Sequence, residues 1–222
     1  ADYARVLGMS PSTLVRGRSA DLCDGARLWY AAHGRPQTAR RFACRFALSG
    51  DVVIVDGARF TAPALAARLV RAEAVGIVIG VASAGGEVDV EVERLWRAGE
   101  PDAAFFLSAF AAAACERLVH VLRREAQQEV SARGWYVLPP ESPGCAGWET
   151  ADLPVLLRLA AAGATGTGVG GVSASVGESL RPARSQVVAF PLAARRPPVA
   201  EPRCRQCDSP ACARRRDEPV EA

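Results

Sequence analysis

The feature that most constrains this chain is the run Gly76-Ile77-Val78-Ile79-Gly80-Val81. Six residues in a row without a polar side chain leave neither face suited to water. A strand with one wet face would alternate, so this run suits a central strand covered on both sides. Ser83-Ala84-Gly85-Gly86 ends it, and Glu87 to Arg97 follows as a helix with acidic residues in its first turn. A Gly pair between strand and helix is a possible ligand corner. It lacks the full dinucleotide spacing, and a tight turn is the simpler reading.

The remaining pattern alternates between the two periodicities. Asp2 to Leu14 is an amphipathic start. A helix is expected from about Ser19 to Ala32, with Leu22, Leu28 and Trp29 on its buried side, ending at His33-Gly34-Arg35-Pro36. Phe42 to Leu48 and Val52 to Val55 read as an antiparallel pair of strands across the turn Ser49-Gly50-Asp51. Pro63 opens a helix through Leu65, Leu69 and Val70. Pro101-Asp102 starts the longest helix, to about Val130, turning polar and exposed from Arg123. A strand at Trp135 to Leu138, a helix at Ala151 to Ala162, and strands at Val172 to Val176 and Ser185 to Phe190 complete the series. The fold class is α+β: a twisted, mainly antiparallel sheet flanked by helices. Residues 1–195 form the folded domain. Residues 196–222 are a Pro/Arg linker and a cysteine-bearing tail.

Half of the 222 residues are apolar, so a substantial core is expected, and the net charge of +3 gives no reason to expect nucleic acid. All basic residues are Arg, with no Lys and no Asn in the chain, so Arg clusters carry less functional weight than usual. No uncharged apolar run is long enough to span a bilayer, and no signal sequence is recognisable, so a cytoplasmic protein without membrane partners is expected. Of seven cysteines, Cys23, Cys44, Cys115 and Cys145 are scattered and read as free thiols.

Three stretches carry chemistry. The long helix has a small-residue face in which Glu116 lies beside Ala109, Ala112 and Ala113. A carboxylate there costs free energy unless paired or ligand-bound, which makes Glu116 the leading acidic candidate. The alternatives are an exposed Glu beside Arg117, or an i,i+4 pair with His120 worth only a few tenths of a kcal/mol. The turn Ser142-Pro143-Gly144-Cys145-Ala146-Gly147-Trp148 joins a strand to a helix and can bring backbone amides to a ligand. The tail holds Cys204, Cys207 and Cys212 in a C-x2-C-x4-C spacing suited to zinc or an iron–sulfur cluster, one ligand short of a closed set. A fourth position is open to Asp208, Cys145, a partner residue, water or a substrate. Gly166 to Gly171 formally spells GxGxxG, but a helix precedes it and a strand follows, the reverse of a dinucleotide site. His33 reads as a solvated loop residue.

Taken in order, several of these segments resemble the activation (S-adenosylmethionine-binding) domain of cobalamin-dependent methionine synthase, in its stand-alone bacterial form. The matching stretches are Tyr3 to Gly8, Ile77 to Asp89, Phe106 to Leu118, Ser142-Pro143-Gly144, and Val172 to Val188, with the cysteine tail similar to that of stand-alone members. The resemblance implies an accessory role in reactivation: S-adenosylmethionine is held over cobalamin carried by a methyltransferase module, with a reductase or other donor supplying an electron. It places the methyl donor at Glu116, at Ser142, Pro143 and Gly144, at Cys145 where the family has Tyr, and at Ser175. The family's Arg before the turn falls at Pro140, and Arg133, Arg181 and Arg184 are the residues available to replace it. Two other classes fit the same residues: a metal- or cluster-bearing redox protein acting through the tail, and an interaction module that keeps the fold without the ligand.

Overall fold

The computed structural model describes residues 2–9, 16–145, 147–162, 165–166, 170–174 and 179–196. Two helices open the chain, a short α1 (Asp2–Leu7) and a longer α2 (Gly17–His33). They are followed by β1 (Gln37–Ala43), β2 (Phe46–Ser49), β3 (Val52–Val55), β4 (Ala58–Thr61), α3 (Pro63–Arg71), β5 (Ala74–Ser83), α4 (Glu87–Arg97) and α5 (Pro101–Ser131). Then come β6 (Tyr136–Val137), a 3-10 turn at Thr150–Asp152, α6 (Leu153–Ala161), β7 (Thr165–Gly166) and β8 (Ser185–Ala193).

Among the described residues the strands form two sheets, one ordered β6-β8-β5-β1-β7 and the other β2-β3-β4. Every pairing is antiparallel. The apolar run occupies the middle of the larger sheet, as its composition requires. Its residues divide by parity. Val78 and Ala82 face a core built with α2, α4 and α5, joined by Val188, Phe190 and Leu192 of β8. Ile77, Ile79 and Val81 face a second core built with α3, α6 and the three-stranded sheet, joined by Val187 and Ala189. The molecule therefore has a central sheet with a separate apolar layer on each side.

Several local expectations shift for physical reasons. The expected strand at 42–48 is two strands in different sheets, divided at Cys44-Arg45. β1 also begins earlier than its composition suggests. Arg40 and Arg41 sit in mid-strand because each is ion-paired, Arg40 with Glu125 (2.6 Å) and Glu129, Arg41 with Asp56. Leu28, expected on a buried face, is exposed. The C-terminal half of α5 is not an exposed extension: Ala126 and Val130 are buried. Arg123 Nε donates to Val137 O (3.1 Å), and its burial pushes the guanidinium pKa down. Gln127 clamps the β6 backbone through Nε2 to Trp135 O (2.9 Å) and Oε1 from Val137 N (2.8 Å).

α5 is long and apolar enough, by length and composition, to cross a membrane. Here many of its apolar residues, among them Phe106, Leu107, Val119 and Leu122, line the first core.

Candidate functional site

Glu116 lies on α5, and its partner is Arg5 of α1, with both side chains mostly buried. α1 is fastened to the same helix by Tyr3, whose hydroxyl donates to Phe106 O (2.9 Å) and whose ring meets Phe110 edge-on at 5.2 Å. The carboxylate on a small-residue face is thus satisfied by an arginine 111 residues away. No helical periodicity within α5 could have found that partner.

The turn at Ser142 forms part of the opposite layer. Gly144 and Gly147 both adopt positive φ, +85° and +75°, which the turn requires of residues without a side chain. Gly144 N donates to Trp148 O (2.7 Å), and Cys145 N donates to Ser142 O (3.2 Å). These amides close the turn on itself. Trp148 anchors it: the indole is buried, stacks on Phe60 at 5.5 Å, and donates from Nε1 to Asp152 Oδ2 (3.0 Å). Immediately before the turn, Glu141 is buried and paired with Arg68 of α3 at 2.8 Å. Arg68 also donates to Pro139 O (3.1 Å). Glu116 and the turn therefore belong to layers on opposite faces of the five-stranded sheet. Neither Glu141 nor Arg68 stands out in the sequence, because their pairing depends on how the chain crosses β8.

Where β5 ends, a polar cluster replaces the apolar one. Ser83 is buried, accepts from Gly85 N (3.2 Å), and accepts from the Ser185 hydroxyl (2.9 Å). Gly85 has φ +103°, and a Cβ there would lie 2.9 Å from Arg35 O. The Gly pair is thus a tight corner without room for a side chain. Tyr30 closes the cluster by donating to Ala84 O (2.9 Å), and burial pushes its phenol up to about 12.

Beside this corner lies a cleft of about 480 Å³ between α4, Ser108 of α5 and the segment 181–184. Its walls include Val88, Asp89, Trp96, Arg181 and Arg184. Asp89 Oδ2 accepts from Ala183 N (2.7 Å). Arg184 donates from Nε to Ser108 Oγ (3.1 Å) and from its terminal nitrogen to the same hydroxyl. Two of the three arginines available to replace the family's Arg thus line one cleft. The third, Arg133, stacks over Trp135 at 5.1 Å near the other end of the sheet.

Cys115 is buried and donates to Ala82 O (3.5 Å), and burial pushes the Cys23 thiol up. Cys44 and Cys145 are exposed. Among the described residues no three His, Cys, Asp or Glu groups gather as a metal site. Cys204, Cys207, Cys212 and Ser175 lie outside the described residues. His33 ends α2, its ring stacked on Trp29 at 5.0 Å.

These features define an α+β protein with a curled antiparallel sheet flanked by helices. Its fold is similar to that of the MetH reactivation domain solved with bound AdoHcy, with a TM-score of 0.56, covering 82% of this chain and 69% of that one. The sequences are 12% identical over that match, so the likeness is one of fold. No family model matches the sequence, and no curated protein matches it significantly.

Proposed function

We propose that the chain is an accessory protein that binds an S-adenosyl ligand and supports the S-adenosylmethionine-dependent reductive methylation of a cobalamin-bound methyltransferase in trans. The observation that carries this reading is the shared fold with a reactivation domain solved with AdoHcy. The order of matching segments supports it independently. In such a system the methyl donor and the partner's cobalamin supply the chemistry, and a separate reductant supplies the electron. The protein's own contribution is to bind the donor and hold it at the partner's face, so its effect is mostly one of proximity and orientation.

Calorimetric titration with S-adenosylmethionine and AdoHcy tests the ligand. A corrinoid protein with a one-electron reductant tests the activity. Adding the chain and S-adenosylmethionine should convert the visible spectrum of the partner from the cob(II)alamin form to the methylated form. Absence of both heat and spectral conversion would sink the proposal.

One observation favours a second reading, an interaction module that keeps the fold without the ligand. Glu116 is engaged by Arg5, and the Ser142 turn bonds its own amides. That module would bind the corrinoid protein in gel filtration, yet give no heat with either S-adenosyl compound.

A further inference from the structure

We infer that the outer edge of β2 is a self-association surface, where a second copy of this chain adds its own β2 antiparallel about a two-fold axis at Ala47. Such a dimer does not depend on the ligand proposed above.

The other sheet ends are short or covered. In the larger sheet β6 and β7 are two residues each, and Arg123 and Gln127 of α5 hold the β6 main chain. In the smaller sheet the β4 edge is met by Asp152, whose Oδ2 accepts from Thr61 N (3.2 Å). β2 ends the other side of that sheet. Its register with β3 sets Ser49 opposite Val52 across the two-residue turn Gly50-Asp51. The pair closing such a turn is hydrogen-bonded, so the main-chain groups of Ser49 and Ala47 point at β3. Those of Phe46 and Leu48 point outward, and they meet no hydrogen-bond partner among the described residues. Native edges are guarded by charge, proline or a bulge. Phe46-Ala47-Leu48-Ser49 carries no charge and no proline, and its pairing with β3 runs without a register shift.

The edge is complementary to itself, which identifies the occupant. Rotation about Ala47 sets Phe46 opposite Leu48 of the second copy, so the outward main-chain groups of each meet those of the other. Both side chains are half-buried against the second core, and each gains an apolar cross-strand neighbour. On the other face Ala47 meets Ala47 of the second copy at the axis. Strands approach closely at such a non-hydrogen-bonded pair, and a methyl group leaves room for it. Arg45 and Asp51 flank the strand on that same face. Both are exposed, and neither side chain is ion-paired among the described residues. Arg45 comes opposite Ser49 of the second copy, with Asp51 of that copy as its diagonal neighbour about 7–8 Å away, within reach of an arginine. Opposite charges therefore meet at both ends of the paired strands, and the contact is isologous and closed.

The test is sedimentation velocity on the full chain over a concentration series, with a reductant present because Cys44 is exposed. Wild type should pass reversibly from monomer to dimer with a Kd of about 0.1 mM, the weak end of specific association for so short a contact. Ala47 is exposed, so Ala47→Arg should leave far-ultraviolet circular dichroism unchanged, while two guanidinium groups at the axis weaken the dimer about tenfold. Arg45→Asp should weaken it about fivefold, because it sets like charges together at both ends. The exchange Arg45→Asp with Asp51→Arg should restore wild-type association, which a merely structural role for either residue would not do. A chain that stays monomeric at about 1 mM, ten times that Kd, would overturn the inference, whether the edge is then bare or taken by a strand of another protein. A dimer indifferent to both Ala47→Arg and Arg45→Asp would also overturn it, since it would form through another surface.

Discussion

At the scale of single residues, the most exacting contact is the pair of Glu141 and Arg68. Glu141 is 3% exposed, and Arg68 stands 2.8 Å away. Removing one partner of a buried pair strands the other, which costs far more than the pair itself contributes. Glu141→Gln should therefore destabilise the protein by about 3 kcal/mol, measured by urea denaturation. The loss should be visible without any change in ligand chemistry. Tyr30 makes a prediction on the alkaline side. Burial raises its phenol to about 12, above the ordinary range of a phenol. A folded pKa raised above the unfolded one stabilises the fold below the unfolded value and loses that stabilisation as pH rises through the folded one. The contribution should thus be constant up to about pH 10 and decline toward pH 12, with Tyr3 acting in the same direction. Phenolate absorbance against pH should show these late titrations, and Tyr30→Phe should remove one of them.

At the scale of elements, the legible parts of the fold were those whose pattern depends only on themselves. The run from Gly76 to Val81 is central in the sheet, and α4 spans Glu87–Arg97 as its acidic first turn suggests. β1 was partly hidden because Arg40 and Arg41 interrupt an otherwise strand-like segment, and their carboxylate partners lie on other elements. The end of α5 was misread for the same reason: Arg123 and Gln127 look solvated until β6 arrives to use them. The site was less legible than the fold. Sequence order aligned Glu116 with the Ser142 turn but could not show that a sheet divides them. Nor could it single out Trp96 or Asp89, ordinary residues of an amphipathic helix until the segment 181–184 packs beside them. The small residues of α5 give a direct test of how elements fit. Ala104 and Ala111 are completely buried, so the helix approaches its neighbours without intervening side-chain volume. Ala111→Leu should overpack this contact and cost about 2 kcal/mol, read from the shift of the urea midpoint at unchanged slope.

At the scale of the whole molecule, two apolar layers share one sheet, and the sharing decides how it unfolds. β5 and β8 send alternate residues to each side: Val78 and Phe190 to one core, Ile79 and Ala189 to the other. Neither layer can lose its packing without exposing strands that the other also needs, so the described body should behave as one cooperative unit. Leu122 and Leu156 are both fully buried, the first in the layer of α5 and the second in the layer of α6. Truncating either to Ala should cost about 3 kcal/mol through lost burial and the cavity left behind. The more informative readout is the shape of the transition. Trp148 reports the second layer, where it stacks on Phe60, while far-ultraviolet circular dichroism is dominated by α2 and α5 of the first. With the other three tryptophans replaced by Phe, fluorescence and dichroism should give the same midpoint in wild type. Leu122→Ala and Leu156→Ala should each move both signals together. Two separated transitions, with each substitution moving only its own, would mean that the central sheet does not couple the layers. A ligand held by the first layer would then stabilise that layer alone. With coupling intact, a ligand that binds only the first layer should raise the midpoint of the Trp148 signal as much as that of the helices.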